Sequence, residues 1–100
     1  MKIKIWFIYE GVAKEGKLSN LTKKVIKIIN GLEKTYDKKM FDLRSIEYVR
    51  FLSESKEEYC IKKGALPVVL INEKIVFKNK LPSVRELKKE VDKIMGDQDG

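Results

Sequence analysis

The sequence has little of what redox and metal chemistry require. It contains one cysteine, Cys60, and no histidine. A single cysteine excludes an intramolecular disulfide and is typical of a reducing cytoplasm. Without histidine, neither a Cys-His or Ser-His pair nor a Cys/His zinc site can form. We therefore predict a cytoplasmic protein that is not an enzyme, with no catalytic residues, no metal site and no cofactor.

Long apolar runs are also absent. No stretch approaches the roughly twenty apolar residues of a membrane span, so we predict no membrane association. The apolar amino terminus is interrupted by Lys4 and followed by Glu10, and we interpret it as a strand rather than a signal peptide. The 100 residues suit one domain, predicted over 1–95, with a flexible tail over 96–100.

Positive charge exceeds negative charge. The chain has 22 Lys and Arg against 15 Asp and Glu, a net charge of +7. Residues 14–39 hold eight lysines and three acidic residues, which indicates weak, salt-sensitive binding to nucleic acid. Lysines scattered among glutamates are equally typical of an ion-pair-rich surface, so both interpretations stay open.

The first half of the chain predicts a strand, a loop and a helix. Residues 2–9 place apolar side chains on both faces, as in a central strand. Glu10–Ser19 contains two glycines and no periodicity, which predicts a loop. Ser19 or Asn20 caps the following helix. Its apolar positions at helical spacing are Leu21, Val25, Ile28, Ile29, Leu32 and Tyr36.

A short second strand is predicted at Met40–Leu43. Flanking charge suggests a sheet edge, which would allow a homodimer to form through residues 39–43. Residues 46–63 predict a helix that is broken near Ser53–Ser55, with Ser55 and Glu58 as a capping box and an end at Gly64. Cys60 is predicted to be a buried structural thiol of that helix.

The last third predicts a hairpin followed by a helix. Pro67 precedes the apolar run Val68–Ile71, a turn at 72–73 follows, and Lys74–Lys78 forms the returning strand. Ser83 and Glu86 form a capping box. The apolar positions of the last helix are Val84, Leu87, Val91, Ile94 and Met95.

The predicted order is β-α-β-α-β-β-α, an α/β fold. The first β-α-β unit implies a right-handed parallel crossover, and the hairpin adds antiparallel strands, giving a four-stranded mixed sheet with helices on both faces. This order and the Leu66–Pro67 junction resemble the thioredoxin-like superfamily, which includes thioredoxins and glutaredoxins. The resemblance implies a cis proline at Pro67.

A closer resemblance is to the arsenical-resistance operon repressors and metallochaperones, the ArsD family. It rests on Gly64-Ala65-Leu66-Pro67-Val68-Val69-Leu70-Ile71-Asn72-Glu73-Lys74-Ile75-Val76, then Lys80-Leu81-Pro82-Ser83 and Glu86-Leu87. The family binds metalloids through three cysteines after the first strand. Approximate alignment puts Ala13, Lys14 and Ser19 at those places, and none of them forms a soft-metal thiolate bond.

The resemblance therefore implies a binding or regulatory module without redox or arsenite chemistry. The predicted ligand or partner groove consists of Gly11, Ala13, Lys14, Lys17, Leu66 and Pro67, and its lysines favour a protein partner or a small anionic ligand. The alternatives are a basic nucleic-acid-associated regulator or a divergent thioredoxin/glutaredoxin-like protein that binds a thiol or peptide. Pro67 could also simply shape the start of the strand, with the lysines solvating the loop.

Overall fold

A four-stranded mixed sheet is the centre of the fold. The computed structural model describes residues 2–11, 13–14, 17–54 and 61–99. The elements in chain order are β1 (Ile3–Tyr9), β2 (Ala13–Lys14), β3 (Lys17–Leu18), α1 (Asn20–Thr35), β4 (Phe41–Glu47), α2 (Tyr48–Glu54), β5 (Val68–Ile71), β6 (Lys74–Lys78) and α3 (Val84–Asp99), with 3-10 turns at Lys38–Met40 and Lys63–Ala65. The sheet order is β4-β1-β5-β6, with β1 parallel to β4 and the remaining neighbours antiparallel. The predicted four-stranded mixed sheet is confirmed.

Helices cover both faces of the sheet. On one face, Ile5 and Phe7 of β1 pack against Val25 of α1 and Leu87 of α3. On the other face, Ile8 of β1 packs against Tyr48 and Phe51 of α2 and against alternate residues of β5. Every residue of β5 is buried, because it is a central strand between two apolar layers.

The predicted hairpin turn at 72–73 and the predicted Ser83–Glu86 capping box are confirmed. Asn72 and Glu73 have φ of 50° and 70°, the left-handed pair of a two-residue hairpin turn. The Glu86 N–H donates to Ser83 Oγ at 3.1 Å and the Ser83 N–H donates to Glu86 Oε1 at 3.3 Å, which is the capping box. Lys80 and then the Ser83 N–H lower the pKa of Glu86 by hydrogen bonding. The Leu66–Pro67 peptide bond is cis.

Several predicted boundaries are wrong. The second helix is predicted to run to residue 63 and end at Gly64, but residues 61 and 62 are not helical and Gly64 lies inside the 3-10 turn Lys63–Ala65. The predicted loop 10–19 contains an antiparallel pairing of β2 with β3. The second strand extends to Glu47, so the helix begins at Tyr48 rather than Ile46. The parallel ladder with β1 explains this extension, because it pairs each residue of β4. The last helix continues to Asp99, so residues 96–99 are helical rather than tail. Cys60 and the Ser55–Glu58 cap lie outside the described residues.

Close approach of α1 and α3 requires a glycine. A Cβ at Gly31 would lie 2.7 Å from Val84 Cγ2, which is closer than a methyl contact allows. Tyr36 links the same two helices further along, donating from its hydroxyl to Asp92 Oδ1 at 2.8 Å. Among the described helices, none is long and apolar enough to cross a membrane.

Candidate ligand-binding site

The carboxyl ends of β1 and β4 and the start of β5 lie at one end of the sheet. Tyr9 is in register with Glu47, and Ile8 with Val68, so the chain just after Tyr9 runs beside Pro67. Two contacts fix this end. The Gly11 N–H donates to Glu47 Oε1 at 3.1 Å, and Lys63 Nζ lies 3.4 Å from Glu10 Oε1. The segment after β1 and the segment before Pro67 are thereby joined.

The predicted groove residues divide into two groups at this end. Gly11 has a φ of +76°, a conformation that glycine adopts without a steric penalty. Ala13 and Lys14 pair through their backbones with Leu18 and Lys17, and the Lys17 side chain is exposed. Leu66 and Pro67 are half-buried. No hydrogen bond within the described part of the chain connects the β2–β3 hairpin to Leu66 or Pro67.

One of the two backbone hydrogen-bonding groups of Leu66 is already used within the fold. Its N–H donates to the Lys63 carbonyl at 3.2 Å and closes the 3-10 turn. The neighbouring Ala65 carbonyl accepts from the Asn79 N–H at 2.8 Å. A guest that approaches Leu66 therefore has the Leu66 carbonyl to bond rather than its N–H, because the donor is already used inside the fold.

Four hydroxyl groups connect α1 to the sheet. The fully buried Tyr9 hydroxyl lies 2.8 Å from Thr22 Oγ1 and 2.5 Å from Ser45 Oγ. Ser19 Oγ lies 3.0 Å from Thr22 Oγ1 and also accepts from the Thr22 N–H at 3.1 Å, which confirms Ser19 as the helix cap. These hydroxyls hydrogen-bond to one another and so help to position α1 against the sheet.

A pocket lies directly beside the Leu66–Pro67 junction, on the α2 face of the sheet. We call it the lysine-rimmed pocket. Its volume is about 260 Å³, and its lining consists of Ile61, Lys62, Ala65, Val68, Ile75 and Lys78. Four of these side chains are apolar and two are exposed lysines. An apolar floor with a few polar groups at its rim is the usual composition of a small-ligand site.

The two rim lysines form no ion pair with the described part of the chain. Within residues 2–11, 13–14, 17–54 and 61–99, no carboxylate pairs with Lys62 or Lys78. Lys63, which lies next in the chain, is already paired with Glu10. Two ammonium groups that no described carboxylate pairs with, above an apolar floor, favour a guest that has both an apolar part and a negative charge.

A β-bulge, which local sequence patterns do not reveal, places Lys78 at this pocket. A regular hairpin with its turn at 72–73 would place Phe77 opposite Val68. The register instead shifts between Val69 and Leu70, so that Lys78 is opposite Val68 and Phe77 turns to the α1/α3 face. The sequence shows that Lys78 lies near the end of the second hairpin strand, but it does not show on which face of the sheet Lys78 lies.

The described residues offer no metal site. In the described ranges, no group of three His, Cys, Asp or Glu side chains is arranged to hold a metal ion. No protein-family model matches the chain, and no curated protein is similar to it in sequence.

Proposed function

We propose that the protein is a non-catalytic binding module of thioredoxin-like architecture, similar to ArsD-type regulators but without their thiol chemistry. The strand order β4-β1-β5-β6 supports this, with a parallel β1/β4 pair and an antiparallel hairpin appended to β1. The absence of histidine and of a cysteine pair supports binding rather than catalysis.

The lysine-rimmed pocket is the observation on which this proposal depends. It lies against Ala65 and Val68, the residues on either side of the Leu66–Pro67 junction. Its ligand is a small amphipathic anion or an acidic side chain of a partner protein. The apolar part of the ligand covers Val68 and Ile75, and its carboxylate lies between Lys62 and Lys78.

Titration of glutathione and of an acidic peptide, followed by amide chemical shifts and calorimetry, tests the proposal. We expect shifts at Ala65, Leu66 and Val68. Replacing one rim lysine, as in Lys62→Gln or Lys78→Gln, should weaken binding by up to about fivefold, since a solvent-exposed ion pair contributes about 1 kcal/mol or less. The double variant should lose more than either single variant.

The matched control is Lys89→Gln, which removes the same charge from the exposed side of α3. Equal weakening in Lys89→Gln and in the rim variants would mean that the anion responds only to net charge, and the pocket would then not be the site. Shifts confined to Gly11 and Lys17, with no response at Leu66, would instead place the guest on the β2–β3 hairpin.

A second candidate function is weak nucleic-acid binding through α1. Lys23, Lys24 and Lys27 are exposed on this helix, and none of them pairs with a described carboxylate. The first turn of α1 contains no acidic residue. A low-salt gel shift tests this function. Loss of the shift near physiological ionic strength would indicate ordinary polycation behaviour, whereas persistence would support phosphate contacts along α1.

A further inference from the structure

The two edges of the sheet differ in how they are protected against pairing with another strand. β6, at one edge, contains a bulge and has a lysine at each end, Lys74 and Lys78. Bulges and lysines are common devices that prevent edge-to-edge association. β4, at the other edge, is seven residues long, and each residue is in register with β1. Its outer side faces no other strand of the described chain.

The side chains of β4 alternate between the two faces in a pattern that is complementary to itself. Asp42 and Arg44 project on the α2 face, in register with Lys4 and Trp6 of β1. Their side chains pair at 3.1 Å and are 28% and 60% exposed. Leu43 lies between them and projects to the α1/α3 face, where it packs half-buried against the core.

Two-fold symmetry limits how two copies of β4 can pair. In an antiparallel pair around a two-fold axis normal to the sheet, one residue must lie opposite its own copy. An axis at Arg44 places two arginines opposite each other, and an axis at Asp42 places two aspartates opposite each other. An axis at Leu43 places Asp42 opposite the partner's Arg44 twice, with leucine against leucine. Opposite charges stabilise cross-strand pairs and like charges destabilise them.

We infer that the protein forms a homodimer through β4, antiparallel and centred on Leu43. The two four-stranded sheets then become one continuous sheet across the axis. Backbone hydrogen bonds along β4 supply the attraction, and the two Asp42–Arg44 pairs set the register. Each chain has a net charge of +7, so long-range repulsion opposes association and moderate salt should favour it.

A charge swap tests the register by sedimentation equilibrium in reducing buffer, which prevents cross-linking through Cys60. Asp42→Arg or Arg44→Asp converts two attractive cross-strand pairs into two repulsive ones, and we expect a dimer dissociation constant about tenfold higher. The double variant D42R/R44D restores two opposite-charge pairs at unchanged net charge. Its dissociation constant should return to within about threefold of the original.

Arg85→Asp on the exposed side of α3 is the matched control, because it changes the net charge as Arg44→Asp does. It should leave the dimer intact. Failure of the double variant to restore association, or a wild type that stays monomeric over the whole concentration range, would overturn the inference.

Amide hydrogen exchange of the unmodified protein provides a readout that does not depend on any variant. Raising the protein concentration should slow exchange in β4 around Leu43 and leave β6 unchanged. Concentration-dependent protection in β6 instead of β4 would place the interface at the other edge of the sheet and would contradict the inference.

Discussion

The two faces of the sheet differ in how completely the described helices cover them. On the α1/α3 face, two sixteen-residue helices enclose a buried cluster drawn from β1, β4, β5 and both helices. On the α2 face, the described residues of α2, Tyr48–Glu54, cover a second buried cluster. There the lysine-rimmed pocket is open, Val49 and Leu52 are 67% and 51% exposed, and the buried indole N–H of Trp6 meets no acceptor among the described residues.

This contrast separates stability from binding within one sheet. The closed face contains the packing that holds the fold, since its apolar side chains are removed from water on all sides. The open face leaves exposed apolar area, a cavity and two lysines that no described carboxylate pairs with, and these are features that a ligand or a partner can use. β5 belongs to both faces, because its alternate residues face opposite layers.

Val69 and Val68 provide the strongest test of this contrast. Both are fully buried neighbours on β5, but Val69 faces the closed core and Val68 faces the lysine-rimmed pocket. We expect Val69→Ala to lower the free energy of unfolding by about 2.5 kcal/mol and Val68→Ala by about 1.5 kcal/mol, because a side chain beside a void loses fewer contacts. Urea unfolding of both variants measures this. Equal losses would mean that the pocket is filled in solution.

Gly31 tests how tightly the closed face is packed. Gly31→Ala places a Cβ 2.7 Å from Val84 Cγ2. Overpacking costs about 2 kcal/mol and the better helix propensity of alanine returns about 1 kcal/mol, so we expect a net loss of about 1 kcal/mol.

Val84→Ala in the same background should relieve the clash. A double-mutant cycle on the free energy of unfolding would show this as a stabilising coupling between the two sites. Strict additivity would indicate that α1 and α3 separate to accept the methyl group at no cost.

Tyr36 gives the smallest expected effect. Burial first, and then hydrogen bonding to Asp92 and the charge of that carboxylate, raise the pKa of Tyr36 from 10.0 to about 12. Because the pKa is higher in the folded protein than in the unfolded chain, the protonated Tyr36 contributes its full stabilisation below pH 10. This contribution is lost as the pH rises towards 12. At neutral pH, Tyr36→Phe should cost about 0.5–1 kcal/mol, a single hydrogen bond.

The difference in unfolding free energy between wild type and Tyr36→Phe should therefore shrink above pH 10. Comparing the two proteins at each pH removes the contribution of the lysines, which titrate in the same range. A difference that stays constant through this range would show that the hydroxyl of Tyr36 does not link α1 to α3.

Much of the fold was predictable because its signals are local. The alternation in β1, the apolar stripe of α1, the turn at 72–73 and the Ser83–Glu86 cap each depend on residues that are close in sequence. The extension of β4 to Glu47 was not predictable, because Ser45 and Glu47 have weak strand propensity and their strand conformation comes from the ladder with β1. The lysine-rimmed pocket was not predictable either, because it depends on the register between β5 and β6.

Most helices and strands and the mixed character of the sheet can be predicted from the sequence alone, because composition and short-range periodicity carry that information. The positions of the two rim lysines depend on tertiary contacts. A bulge of one residue in β6 places Lys78 on the same face of the sheet as Val68. The turn before Pro67 places Lys62 at the same pocket. Such a site depends on register and on contacts between distant segments, and these are set by the packing of the whole chain.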